Sequence, residues 1–251
     1  MNPLQRTLIE KTGHDFGFEY TVVETPASLT LGSARHPLHA QVMLIQNEYQ
    51  LHLINAKPLL INELGRDFSV TGKTITCDNI EQLSIVLRRA ASLAHALPNQ
   101  AEHDFESALE AAFKKLPKEI KNTEVERMVR QRVGQDTFRK AMLDYWGGAC
   151  AVTGVALPEV LRASHALPWA ECACDAERLD VFNGFLLTAN LDALFDRFLI
   201  SFDATGGILI SDLISESDRE FLGITSCLKL RWLTDQHDKY LDLHRARLQV
   251  A

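Results

Sequence analysis

The chain has 251 residues, an apolar fraction of 46% and a formal net charge of −7 at neutral pH. This length fits two folding units, and the apolar fraction is ordinary for a globular protein in water. The apolar runs are too short to span a membrane, and the N-terminal residues lack the apolar core of a secretory signal. We therefore expect a cytoplasmic protein with no membrane partner.

The five cysteines do not form a recognisable framework. They are Cys77, Cys150, Cys172, Cys174 and Cys227. An odd number without a secretory signal argues against structural disulfides. There is no Cys-x-x-Cys pair, and Cys172-Ala-Cys174 is too tight for the usual zinc knuckle, so a structural zinc is not expected.

Residues 1–97 predict an α+β unit. A short helix is expected over 3–12, a strand over 18–25, and β-hairpins over 42–54 and 68–77. Asp78-Asn79 should cap a helix that runs to about Leu97. No catalytic constellation is visible in this first part of the chain.

Residues 98–122 are interpreted as a helix, from about Glu102 to Leu116, followed by a polar linker. Thr123-x-x-Glu126 forms a capping box that predicts a new helix from about Glu124. We expect that helix to break near Gly134 and to resume from Gln135 to Tyr145.

Positive charge is concentrated between Phe113 and Met142, where nine Lys and Arg residues accompany four acids. The acidic balance of the whole chain does not indicate nucleic-acid binding, but this local excess does. A basic stripe beside an acidic metal site suits an enzyme that acts on a phosphate backbone. A solvated helix face would have the same composition. The stripe alone therefore does not distinguish a nucleic-acid-binding surface from an ordinary solvent-exposed helix.

A His, an Asn and two carboxylates follow in close order. They stand in Ser164-His165-Ala-Leu-Pro168-Trp169, in Asn183-Gly-Phe-Leu-Leu187 and in Asp192-Ala-Leu-Phe-Asp196-Arg197. The pattern predicts a strand ended by Pro168, a polar loop over 170–182, a second short strand, and a helix capped by Asn190. Asp192 then lies in the first helical turn and shares one face with Asp196.

Residues 123–247 resemble the HNH endonucleases of bacterial restriction and related defence proteins. Besides the pieces above, the resemblance is carried by Arg132-Val-Gly-Gln-x-x-Phe138-Arg139, Tyr145-Trp-Gly-Gly-Ala-Cys-Ala-Val-Thr-Gly154 and Tyr240-Leu-x-x-His244-Arg245. It implies a ββα-metal nuclease domain over 123–251. The expected fold class is thus α+β, with an N-terminal α+β domain with β-hairpins, a helical linker and that nuclease domain.

The resemblance also implies roles for individual residues. His165 is the candidate general base, and Asn183 either orients that imidazole or binds the metal. Asp192 is the candidate metal ligand, with Asp196 as a weaker one, and carboxylates favour Mg²⁺ or Mn²⁺ over zinc. Cations expected to hold the phosphate backbone are Arg132, Arg139, Lys140, Arg162 and Arg197.

One position departs from the family pattern. The residue before the catalytic His is often an Asp or His that binds the metal, whereas Ser164 is at most a weak ligand. Two alternatives to a nuclease therefore stay open. One is a catalytically inactive DNA-binding protein of the same fold, and the other is a regulatory protein that needs an activator. RNA is a further candidate substrate.

The function expected from the resemblance is metal-dependent endonuclease cleavage of double-stranded DNA, in restriction or defence against foreign DNA, including DNA with modified bases. Because such a module contacts the backbone, recognition or sensing is assigned to residues 1–97. Cutting both strands with a one-metal site requires two copies, so a homodimer is expected.

Overall fold

The computed structural model describes residues 1–98, 100–115 and 123–249. The chain divides into two compact units, Met1–Leu97 and Pro98–Ala251. Helices and strands occur in both, which confirms the α+β class. None of the described helices combines the length and apolar character needed to cross a bilayer. The polar linker expected over 116–122 lies outside the described residues.

The first unit is built on an antiparallel sheet. Its elements are α1 (Pro3–Asp15), β1 (Tyr20–Glu24), β2 (Ser28–Gly32), β3 (His39–Ile45), β4 (Glu48–Ile54), α2 (Pro58–Asp67), β5 (Val70–Thr71), β6 (Thr74–Cys77) and α3 (Ile80–Ala96). The six strands are ordered β1-β2-β3-β4-β6-β5. This unit thus has the expected hairpins, with β2 and α2 as elements that the sequence pattern did not indicate.

Local signals explain most of this unit. Gln46 and Asn47 adopt φ values of 51° and 69°, which a two-residue hairpin turn requires. Residues on alternate positions, such as Val42 and Leu51, pair across β3 and β4 and are fully buried. The side chain of Asn79 accepts the Gln82 N–H and so begins α3, as predicted.

The second unit has shorter strands. Its elements are α4 (Gln100–Lys115), α5 (Thr123–Tyr145), β7 (Leu161–His165), α6 (Asp175–Leu179), β8 (Gly184–Thr188), α7 (Ala189–Phe195), β9 (Ile200–Phe202), β10 (Ile208–Ile210), α8 (Glu216–Phe221) and α9 (Asp238–Arg245). Strands β7 and β8 form one antiparallel pair, and β9 and β10 form another. Helix α7 follows β8 at once and contacts both strands of the first pair.

The β7–β8 pair brings the motif residues to one end of the hairpin. His165, the last residue of β7, pairs with Gly184 at the start of β8. A Cβ at position 184 would collide with the Ser164 carbonyl oxygen, so this close approach of the strands requires glycine. The result is the expected order of strand, loop, strand and helix.

Three local expectations were wrong. Helix α5 runs without a break through Gly134, where glycine makes room for the indole of Trp169 and does not end the helix. Thr188 occupies the N-cap position of α7 without a side-chain capping bond, and Asn190 lies inside the first turn. The polar loop also contains α6 and a short 3-10 turn, Trp169–Glu171.

Candidate active site

A cleft of about 500 Å³ opens in the second unit, between α5, the end of β7 and α7. It contains the predicted His165, Asp192 and Asp196 together with two of the predicted cations. The lining residues are Gln135, Asp136, Phe138, Arg139, Arg162, Ala163, His165, Pro168, Trp169, Asp192, Asp196 and Phe198. The structure therefore brings the candidate base and the candidate carboxylates to one concave surface.

His165 is held in a defined orientation. Its Nε2 lies 2.9 Å from the Arg178 carbonyl oxygen, and its ring stacks on Phe138 at 3.8 Å between centroids. Trp169 contacts the ring edge-on, with centroids 5.8 Å apart. Because a carbonyl oxygen only accepts, Nε2 carries the hydrogen, and Nδ1 of the neutral ring carries the lone pair.

The surroundings keep this imidazole neutral. Burial lowers the pKa of His165 to about 4, against the opposing effect of the Arg178 carbonyl. Desolvation disfavours the charged form of a histidine, so the ring is unprotonated throughout the neutral range. Its proton-accepting site is therefore vacant there, which a general base requires, but a pKa so far below neutral also makes the imidazole a weak base.

Asp192 is oriented by a neighbouring hydroxyl. It lies in the first turn of α7, and the Ser164 Oγ donates a hydrogen bond of 2.5 Å to its Oδ1. Ser164 is buried and does not line the cleft. Its hydroxyl fixes one oxygen of the carboxylate, while the carboxyl group itself remains part of the cleft wall.

Asp196 lies one helical turn beyond Asp192, at the end of α7. Partial burial raises the pKa of Asp196 to about 6, the Asp192 charge adds to the rise, and Arg197 opposes it. Two carboxylates on one helix face repel each other, and a bound cation would relieve that repulsion.

The carboxylates of Asp192 and Asp196 offer oxygen donors to the cleft. The described residues contain no group of three or more His, Cys, Asp and Glu side chains that could hold one metal ion. A closed zinc site needs four such ligands. Mg²⁺ binds through one or two carboxylates, and waters and substrate phosphates complete its shell. The oxygens of Asp192 and Asp196 suit that second arrangement.

Asn183 lies outside the cleft, although the sequence placed it among the catalytic and metal-binding residues. Its side chain is buried, and its Oδ1 accepts the Leu167 N–H at 2.8 Å. Its Nδ2 donates to the carbonyl oxygens of Glu177 and Leu167 at 3.0 and 3.3 Å. The amide therefore ties together the loop that joins β7 to β8, behind His165.

Two of the five predicted phosphate-binding cations line the cleft. The Arg139 guanidinium donates to the Leu161 carbonyl at 2.7 Å, and that of Arg162 donates to the Glu159 carbonyl at 2.9 Å. Because a carbonyl oxygen has no formal charge, these bonds do not compensate the positive charge of either guanidinium. The other three, which are exposed and lie outside the lining, are Arg132, Lys140 and Arg197.

None of these five cations forms a salt bridge within the described parts of the chain. In contrast, Arg130 and Arg178 pair with Asp175, and Arg245 pairs with Asp242. Arg132 precedes Arg139 by seven residues on α5, so both lie on the same side of that helix. Unpaired cations beside the cleft attract an anionic polymer.

Sequence reasoning missed the aromatic part of the site. Phe138 was named only within a family motif, and Trp169 and Phe198 had no expected role. The one available signal was Gly134, a glycine inside a helical pattern. Its lack of a side chain makes room for Trp169, which in turn contacts His165.

Comparison with known protein families supports the motif. Residues 150–203 match the family model described as HNH endonuclease. The match covers β7, the loop, β8, α7 and β9, and it confirms the resemblance seen in the sequence for that segment. No curated protein matches the chain.

Proposed function

We propose that this HNH endonuclease domain is a divalent-metal-dependent enzyme that hydrolyses phosphodiester bonds in double-stranded DNA. The observation that carries the proposal is the shared cleft. The neutral ring of His165 and the carboxylate of Asp192 both line it, and the unpaired Arg139 and Arg162 lie at its wall.

His165 would act as the general base. Its Nδ1 accepts the proton of a water that attacks phosphorus, while Nε2 stays bonded to the Arg178 carbonyl. Stacking on Phe138 prevents the ring from turning, which keeps the lone pair aimed in one direction. The pKa of about 4 ensures that the proton site is vacant at neutral pH.

Asp192 and Asp196 would hold Mg²⁺ or Mn²⁺, which when bound neutralises charge on the scissile phosphate and its leaving oxygen. Ser164 is then a positioning residue that orients Asp192 and is not itself a ligand. Asn183 is likewise a positioning residue, since its amide groups are engaged within the loop.

The five unpaired cations would bind backbone phosphates on either side of the scissile bond. We further propose that residues 1–97 recognise or sense foreign DNA, including DNA with modified bases, and that the enzyme acts as a cytoplasmic homodimer in restriction or defence. These last statements are supported by likeness to the family. Analytical ultracentrifugation tests the dimer, which a monomer both free and DNA-bound would rule out.

A plasmid and phage-DNA cleavage assay tests the nuclease. Unmodified, 5-methyl-, hydroxymethyl- and glucosylated-cytosine DNA are each incubated with Mg²⁺, Mn²⁺ or EDTA. We expect metal-dependent cutting that falls roughly 10²- to 10⁴-fold in His165→Ala, with DNA binding retained. His103→Ala, an exposed histidine on α4, is the matched control and should cut normally. Cutting in EDTA, or normal cutting by His165→Ala, would contradict the proposal.

A DNA-binding or activator-dependent protein without turnover of its own is the second candidate. It is favoured by Ser164, which occupies a usual ligand position and leaves Asp192 and Asp196 as the proposed protein ligands. Binding of DNA without cleavage under every metal condition would support this candidate. Cleavage of naked DNA by the purified protein would exclude it.

A further inference from the structure

The segment after α9 contacts one wall of the cleft through an ion pair. Arg247 donates to the two carboxylate oxygens of Glu171, at 2.8 and 2.5 Å. Glu171 ends the 3-10 turn that begins at Trp169, and its own N–H bonds to the Pro168 carbonyl at 2.8 Å. Pro168 and Trp169 line the cleft, so the ion pair is anchored directly behind that wall.

The same segment also contacts a second part of the cleft lining, at Phe198. The Arg247 guanidinium lies over the ring of Phe198, 5.6 Å from its centroid. The Gln249 N–H donates to the Phe198 carbonyl at 2.9 Å, and the Gln249 side chain donates to the Arg197 carbonyl at 2.8 Å. Phe198 itself lines the cleft.

The backbone at Phe198 needs such support. Its φ of 56° is in the left-handed region, which is costly for a bulky residue without a hydrogen-bonding side chain. A conformation of this kind persists only where surrounding contacts hold it. Two bonds at the end of α7 supply part of this support, from the Phe198 N–H to the Phe195 carbonyl and from the Leu199 N–H to the Leu194 carbonyl, each at 2.9 Å. The bonds from Gln249 and the guanidinium of Arg247 add to it.

We propose that Arg247–Gln249 forms a strap that holds the Trp169–Glu171 turn and Phe198, two parts of the cleft lining, in their relative position, with Arg247 as a positioning residue for cleavage. The proposal rests on the nuclease function inferred above. Arg247 acts through Glu171 and Phe198 and does not itself line the cleft.

A simpler role for Arg247 would be to attract DNA by its charge. The two roles separate in Arg247→Lys, which keeps the charge but loses the two-pronged contact with Glu171. A charge swap also distinguishes the two roles. Arg247→Glu combined with Glu171→Arg restores the ion pair and leaves the net charge unchanged.

The experiment compares the full-length protein with these variants and with each half of the swap alone. Asp242→Ala is the matched control, because it removes the Arg245 ion pair on α9 without touching a cleft-lining residue. Hydrogen exchange of the backbone amides at 167–173 measures how readily this loop opens. Cleavage kinetics give kcat and KM separately.

We expect Arg247→Lys and both single charge reversals to speed exchange of these amides about five-fold, the upper range for an exposed ion pair. They should lower kcat more than they raise KM. The double swap should restore normal exchange at 167–173 and recover part of the loss in kcat, since it re-forms the ion pair but not the contact of the guanidinium with Phe198. Asp242→Ala should match the wild type in both. Normal exchange in Arg247→Lys, or no recovery in the swap, would overturn the strap. If the wild type cuts no DNA, the nuclease proposal fails, and the exchange data still decide the strap.

Discussion

The two units of the chain are stabilised in different ways. In the first, six strands pair through a continuous antiparallel ladder whose hydrogen bonds join backbone to backbone. In the second, the strands around the cleft have three to five residues, and single side chains hold the loops. His165, Asn183 and Arg139 each bond to a backbone carbonyl distant in sequence.

This difference predicts how each unit responds to substitution. A ladder distributes its stability over many residues, whereas short two-stranded pairs are marginal on their own. A buried side chain that bonds to several backbone groups leaves all of them unsatisfied when it is removed. The geometry of the site in the second unit should therefore depend on individual residues, and single substitutions should have larger effects there than in the first unit.

The largest effect is expected for Asn183→Ala. The change leaves the Leu167 N–H and the Glu177 carbonyl without their partner, which should cost about 3–5 kcal/mol of unfolding free energy in the second unit. Asn79→Ala in the first unit removes one helix-capping bond and should cost about 1 kcal/mol. Urea unfolding measures both. Equal costs would show that the two units do not differ in this way.

A pair of helical glycines gives the next test. Gly65→Ala in α2 meets no atom within 4 Å and should stabilise the first unit by about 0.5–1 kcal/mol, because alanine loses less backbone entropy. Gly134→Ala should bring no such gain, since its methyl group displaces Trp169 from beside His165.

Cleavage kinetics complete that test. Displacement of the ring beside the general base should lower cleavage by Gly134→Ala roughly 10- to 100-fold, while Gly65→Ala cuts normally. Thermal unfolding of both variants accompanies the kinetics. Wild-type cleavage by Gly134→Ala would show that the position of Trp169 is unimportant for the site.

Ser164→Ala should act through the metal. Without the hydroxyl that orients Asp192, apparent affinity for Mg²⁺ should fall about 10-fold, and excess Mg²⁺ should restore cleavage. Ser28→Ala in the first unit also removes a buried hydroxyl, one bonded to Thr25, and should leave the Mg²⁺ response unchanged. An unaltered Mg²⁺ titration in Ser164→Ala would argue against the orienting role.

The smallest expected effect is the change of folding stability with pH. Burial lowers the pKa of His36 to about 4, so the unfolded chain binds a proton below pH 6.5 that the folded chain binds only near pH 4. Stability of the first unit should fall as pH drops through that range, by about 1 kcal/mol between pH 7 and 5.5. His36→Phe should abolish this part of the loss in urea titrations at the two pH values.

In the second unit, the histidines and Asp196 change the folding stability in opposite directions as the pH falls. Burial also lowers the pKa of His165 and of His244 to about 4, which destabilises the fold over the same range. The pKa of Asp196 is raised to about 6, so this carboxyl binds a proton in the folded state and offsets part of the loss. Asp196→Asn should therefore make the decline between pH 7 and 5.5 steeper. A shallower decline would reverse the assigned sign.

The sequence pattern predicted those elements whose formation depends on residues close to one another in the sequence. The hairpin over 42–54, the cap at Asn79 and the apolar alternation of β3 and β4 depend on neighbouring residues alone. The turn itself lies at Gln46 and Asn47, one residue before the Asn47-Glu48 position that the sequence suggests. Helix α2 was missed because it starts without a side-chain cap. The continuity of α5 was missed because the partner of Gly134 lies 35 positions later, at Trp169.

The motif pieces around His165, Asn183 and Asp192, taken together in their order and spacing, indicated the resemblance to HNH endonucleases, and the match over 150–203 agrees. Only the tertiary structure decided which of these side chains lines the cleft. Asn183 turns into the loop, and Ser164 bonds to Asp192, because loop carbonyls and helix placement set those orientations. Residue spacing encodes which face of an element a side chain occupies, but the partner that it meets there depends on how distant segments pack.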